Sequence, residues 1–296
     1  MRLSKVDPAT AKTYVEKAVA GGVMESNNDN AVIRNNANFP SGIGSSLNGG
    51  QAHYVYLIED FVTYLQVNDD PRLASIAVRY VTAKNAGDQK EDNADRSPAN
   101  QIGIPMGYDN NSIIPIAEAA GLPSFMAYSQ LDRTRMANPQ APGFLVTYAQ
   151  TELLLAEAIF RGWAQGNSAT LFSDGIKADM ERYAAYGANT SIDNNNIDDY
   201  IQAHPLRPGH ELEDINTQYW VAAYLNGPEA WANFRRTGFP NLTPNPLHGD
   251  LGPDENFMRR FGYPDSELNV NRKHVDETVQ RQGPDRIDTR VWWDVK

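Results

Sequence analysis

The sequence contains no cysteine, so disulfides, thiolate nucleophiles and cysteine-ligated metals are excluded. It contains no apolar run approaching 18 residues, and a transmembrane helix is not expected. Basic residues are scarce: 26 Lys and Arg stand against 37 Asp and Glu, a formal net charge of −11. No Lys/Arg-rich run offsets this balance. Nucleic-acid phosphates need a basic patch, so nucleic acid is excluded as a partner, and anionic membrane surfaces are disfavoured for the same reason. Met1-Arg2-Leu3-Ser4-Lys5 runs directly into Val6-Asp7-Pro8 with no apolar stretch, so no secretory leader is visible.

What is present describes an ordinary globular chain. The 296 residues are 41% hydrophobic and 21% charged, enough for a proper core. Aromatics make up 10%, and Asn is abundant. Rings beside amides suit a core with polar tips, and they also suit a surface that grips sugars.

Helical signals dominate. Asp7 is an N-cap and Pro8 a first-turn proline. Ala11, Tyr14, Val15, Ala18 and Val19 then form one stripe, and Gly21-Gly22 stops the helix. That stripe needs partners, either downstream or upstream of this chain. A second helix is expected over 53–66, and a short strand over 76–81. The strongest helix spans 146–165, and the next spans 168–186, with Ser168 as its cap and Gly187 as its stop. Their short connection predicts an antiparallel helical hairpin. Further helices are expected near 212–226, 229–237 and 271–282. Residues 25–52, 84–121 and 238–270 are rich in Asn, Gly or Pro and are expected to be irregular.

Motifs for chemistry mostly fail. Gly42-Ile43-Gly44 begins like a dinucleotide loop, but Leu47 stands at the third glycine position and no strand precedes it. His53, His204, His210, His248 and His274 show no zinc spacing. Asp193-Asn194-Asn195-Asn196-Ile197-Asp198 lacks the central glycine and terminal glutamate of a calcium loop, and reads better as a helix-capping turn. Glu152 and Glu157 lie five apart on one helix, cannot face each other across a cleft, and read as solvated acids. Aromatics remain in irregular stretches that also carry Asn, Asp and Gly: Phe39, Tyr108 and Phe125. A ring face stacks on the C–H face of a sugar while amides and carboxylates bind its hydroxyls. The alternative is that each ring anchors its own loop.

Several segments, in order, resemble the SusD/RagB family, particularly its SusD-like 2 branch. They are Asn68-Asp69-Asp70-Pro71-Arg72-Leu73; Leu153-Leu154-Leu155-Ala156-Glu157-Ala158 with Arg161-Gly162-Trp163; Gly175-Ile176-Lys177; Asn226-Gly227-Pro228-Glu229-Ala230-Trp231 continuing to Arg235-Arg236-Thr237-Gly238-Phe239-Pro240; and Arg259-Arg260-Phe261-Gly262-Tyr263-Pro264, with Trp292-Trp293 near the end. The combination is more specific than any one motif. The resemblance implies an all-α fold, with helical hairpins of a tetratricopeptide-type scaffold, long irregular loops and little β structure. It implies a surface-exposed outer-membrane lipoprotein that binds glycans, or in some branches peptides, beside a SusC-like TonB-dependent transporter. It implies no catalytic residues and no cofactor. The chain lacks a lipoprotein leader and begins about where family members are partway through their scaffold. It is therefore expected to be a single domain over 1–296, truncated at its N-terminus, and less stable alone than with upstream helices. Asp70, Arg72, Tyr108, Asp109 and Asn110 are the ligand-binding candidates, chosen for their chemistry in loops. A glycoside hydrolase using two carboxylates and a protein-binding helical scaffold are the alternative readings.

Overall fold

The computed structural model describes residues 1–246 and 257–295. Among them the helices are α1 (Pro8–Gly21), α2 (Gly42–Leu47), α3 (Glu59–Val67), α4 (Arg72–Ile76), α5 (Ile113–Ala119), α6 (Tyr148–Phe160), α7 (Ser168–Arg182), α8 (Asn194–Ala203), α9 (Glu211–Ala222), α10 (Gly227–Thr237), α11 (Asp265–Val270) and α12 (Arg272–Gln282). Five short strands intervene: β1 (Ala31–Ile33), β2 (Ala77–Tyr80), β3 (Ala94–Asp95), β4 (Gln130–Leu131) and β5 (Gly143–Val146). β1 pairs with β5, and β3-β2-β4 form a second sheet, all antiparallel. The fold is all-α with little strand. His248 lies outside the described residues.

The scaffold is the α6–α7 hairpin with α9 laid against it. Thr147 and Gln150 form a capping box at the start of α6, which satisfies free N–H groups there. Asn167, rather than Ser168, caps α7; its side chain accepts from the Ala169 and Thr170 N–H groups. Ala149, Leu153, Ala156, Phe172, Ile176 and Met180 interlock with Ile215 and Tyr219 of α9 in one buried cluster. The hairpin is close because α7 carries Gly175 at the contact. A Cβ there would lie 2.7 Å from Leu153 Cγ.

A second cluster joins Leu57, Phe61, Leu65, Leu73 and Ile76 to Tyr183 and Val221, and so ties the α3–α4 region to the ends of α7 and α9. The helix expected over 53–66 begins only at Glu59. Before it, His53 and Tyr54 lie in a turn and Ile58 bridges Ile104, with Leu57 and Glu59 exchanging backbone bonds with Ile104. The three stretches expected to be irregular each contain a short helix: α2, α5 and, in 238–270, α11. Asp193 caps α8 by accepting from the Asn195 N–H, as the capping reading expects.

The acids of α6 differ from their reading as solvated groups. Glu157 is fully buried and Glu152 nearly so. Glu157 accepts from Arg236 Nη1 at 2.6 Å and Nη2 at 2.8 Å, and from Arg161 Nε at 2.8 Å. Arg236 also reaches Asn216, Asn233 and Ser4. A carboxylate can sit in a helix core here because a bidentate guanidinium arrives from α10.

The stripe on α1 is only partly covered. Ala11 is buried, but Tyr14 is 62% exposed and Val19 42%. With Val15, Ala18, Leu154 and Leu155 they line an apolar groove of about 400 Å³ between α1 and α6. Among the described residues, no helix is long and apolar enough to cross a membrane.

Candidate functional site

The five candidate side chains separate into two groups. Asp70 and Arg72 lie in the interior, with side chains fully buried. The chain turns at Asn68 and at Asp69, whose φ is +50°, and Pro71 then starts α4. Arg72 Nε donates to Asp70 at 2.9 and 3.1 Å, Nη1 to Asp179 Oδ2 at 2.8 Å, and Nη2 to Gln218 Oε1 at 2.8 Å. Arg182 pairs with Asp179 from one helical turn away. Gln218 donates onward to the hydroxyls of Tyr64 and Tyr200.

Two guanidinium groups thus face two carboxylates in a closed, neutral set. Burial alone would raise the Asp179 carboxyl, but Arg182 and Arg72 outweigh it and hold the group below its usual range. The expectation of Asp70 and Arg72 as ligand contacts is corrected: a charged pair beside a proline turn resembles a binding loop in sequence, but here it joins α4 to α7 and α9.

Tyr108, Asp109 and Asn110 do come together on the surface. Their loop is fixed at both ends. Ile104 bonds to Leu57 and Glu59. Gly107 has φ +94°, and a Cβ there would meet Pro246 at 2.8 Å, so only glycine fits the bend. Beyond it, Asp109 Oδ1 accepts from the Ser112 N–H at 2.7 Å, the Ser112 hydroxyl at 2.8 Å and the Asn111 N–H at 3.0 Å, at the entry to α5. The Ser112 N–H, then its hydroxyl and the Asn111 N–H, hold the Asp109 carboxyl below its ordinary range. Asp109 Oδ2 accepts no hydrogen bond among the described residues, and Asp109, Asn110 and Asn111 are all exposed. Tyr108 is 41% exposed.

The other two loop aromatics diverge. Phe125 packs edge-on against Tyr56 at 6.2 Å in a small core cluster, which is the anchoring role. Phe39 is 76% exposed. A further polar recess, invisible in the sequence, forms where residues 27–35, residues 140–144 and the end of α7 meet. Its amides lie in the Asn-rich segment, but the partners that complete it are more than 100 residues away.

A family model described as starch-binding and associating with the outer membrane, SusD-like 2, matches residues 1–264. The chain belongs to the SusD-like family. No curated protein matches it. Among solved structures, it is similar to a chitin-binding protein at 30% identity and a TM-score of 0.82, covering 100% of this chain and 62% of that one. It is similar to a Bacteroidetes AC2a SusD-like protein at 26% identity and a TM-score of 0.80, covering 100% and 67%. A chitin-binding SusD homologue from Flavobacterium johnsoniae matches at 26% identity and a TM-score of 0.72, covering 100% and 61%. This SusD-like chain therefore spans about three-fifths to two-thirds of the length of these relatives.

Proposed function

We propose that this SusD-like chain belongs to a non-catalytic protein of the cell surface that captures an oligosaccharide and delivers it to a SusC-like TonB-dependent transporter in the outer membrane. The observation that carries the reading is the Tyr108 loop. A half-exposed ring stands on a backbone fixed by Gly107 and by the Asp109–Ser112 turn, with the free oxygen of Asp109 and the amides of Asn110 and Asn111 beside it. An aromatic face with a few placed polar groups is the chemistry that holds a sugar ring. Preformed loops bind with less ordering cost than mobile ones. Membership in a starch-binding, outer-membrane-associated family and likeness to two chitin-binding structures support the class of ligand.

Calorimetry with N-acetylchitohexaose tests the reading. Binding is expected to change little with salt, because an uncharged sugar makes no ion pair. Tyr108→Ala should weaken it by about 1–3 kcal/mol, on the scale for interface aromatics, with the helical circular dichroism unchanged. The sugar should be recovered intact after prolonged incubation. Full-strength binding by Tyr108→Ala would reduce the ring to a loop anchor, and release of shorter sugars would favour a hydrolase.

A further inference from the structure

The recess beside α7 is a built polar cavity that the Tyr108 loop does not touch. It measures about 460 Å³, within the range of ligand clefts. Three of its amides are committed to the framework. Asn27 Nδ2 donates to the Ala178 carbonyl, Asn30 Oδ1 accepts from the Tyr148 N–H at 2.6 Å, and Asn35 Nδ2 donates to the Ala141 carbonyl at 2.6 Å. These bonds fix its walls. What they leave is a set of side chains with unused hydrogen-bonding capacity. Asn28, Arg34, Gln140 and Glu181 all line the recess, and their side chains make no hydrogen bond or ion pair among the described residues. Arg182 lines it as well. It is only 4% exposed, and its Nε–H is a buried donor without a partner. A buried unpaired donor is costly, and such groups call for an explanation.

The charge of the recess selects among ligands. Arg182 is matched by Asp179, and the free Arg34 shares the cavity with the free Glu181. The lining therefore offers donors and acceptors together with no net charge, in a chain of net charge −11. A ligand carboxylate would meet Glu181 and the general negative field. Sugar hydroxyls, which donate and accept at once, match both halves of the set. The loop that leaves the recess presents Phe39. It is closed by reciprocal backbone bonds between Asn36 and Phe39, both 3.1 Å, and tied back at Ser41 to the Pro139 carbonyl at 2.7 Å. The most exposed phenylalanine of the described residues is thus held on a stiff tip.

We propose that the recess bounded by Asn28, Arg34, Gln140 and the Glu181–Arg182 end of α7 is a second carbohydrate-contact site, selective for uncharged sugars. It rests on the glycan-binding reading above and extends it to a second patch, separate from the Tyr108 loop. Amide hydrogen exchange of the 296-residue chain, with and without N-acetylchitohexaose, reads both patches in one experiment. Slowed exchange over 27–35 and 140–144 is the expected result. In Arg34→Ala and Gln140→Ala, both exposed and free of structural bonds, that protection should be lost and affinity should fall about tenfold, while protection over 103–112 persists. Slowed exchange over 103–112 alone overturns the second site and leaves the first. No heat and no protection anywhere overturns both. Equal binding of an oligoglucuronate at the recess would overturn its selectivity for uncharged sugars.

Discussion

Residue by residue, the buried charges of this fold are paired. Arg236 and Glu157, and Arg72 with Asp70 and Asp179, are ion pairs whose side chains are almost wholly removed from water. Breaking one leaves a charge stranded in a low-dielectric interior, which costs about 3–5 kcal/mol. Arg72→Met should therefore destabilise the protein by that amount in urea unfolding, because among the described residues Asp70 pairs with no second cation while Asp179 keeps Arg182. The same pairs set the acid limit. Burial would raise Glu157, but Arg236 and Arg161 hold it below its ordinary 4.5, and Asp179 is likewise held below 3.8. A carboxyl depressed by folding adds stability above its unfolded value, and that stability disappears as the pH falls through the folded value. Stability should thus be level above about pH 5 and decline steeply below about pH 4, with a shallower decline in Asp179→Asn. Denaturant midpoints measured between pH 3 and 7 read both slopes; an unchanged slope in the variant would remove Asp179 from the account.

At the scale of elements, the hairpin α6–α7 was plain in the sequence because the apolar period, the short connection and a stop glycine agreed, although Asn167 rather than Ser168 is the cap of α7. The failures have local causes. α5 contains Pro115 and α2 is only six residues, so neither builds a periodic pattern. Residues 53–58 look helical by period, but His53 and Tyr54 lie in a turn and Leu57-Ile58 is drawn into an extended bridge with Ile104. The site divides in the same way. The bend at Tyr108 is local, built from Gly107 and the Asp109–Ser112 turn, and its irregular, glycine-containing stretch was legible in the sequence. Asp70 and Arg72 were misread because their partner Asp179 is 107 residues away. Gly175 shows how closely these elements are fitted. Its substitution by Ala would place a methyl 2.7 Å from Leu153 Cγ and 3.3 Å from the Ala149 carbonyl, both on the facing helix. Helix propensity favours Ala by about 1 kcal/mol, but overpacking a rigid contact costs about 1–3 kcal/mol. Gly175→Ala is expected to destabilise on balance, and a gain in melting temperature would mean that α6 and α7 can separate freely.

At the scale of the whole molecule, the described surface carries an apolar groove as well as the polar patches. Tyr14, Val15 and Val19 of α1 face Leu154 and Leu155 of α6 over about 400 Å³, and two of the three α1 side chains are largely exposed. Full burial of each large apolar side chain is worth roughly 1.5–3 kcal/mol, so this face leaves a sizeable stabilisation unused in a fold whose net stability is of order 5–15 kcal/mol. An open groove of this kind is a contiguous hydrophobic patch rather than scattered apolar residues, and it should take up small apolar molecules. The dye ANS is therefore expected to bind the folded chain and to fluoresce. Dye uptake by a folded protein is otherwise a mark of loosened packing. Val19→Glu and Leu155→Glu, which place charges at either wall of the groove, separate the two causes. If the groove is the dye site, both variants lose most of the fluorescence and keep the helical signal and the near-ultraviolet dichroism of the aromatic core. If the dye reports loose packing instead, fluorescence stays the same or rises in the variants, and the groove is not its site.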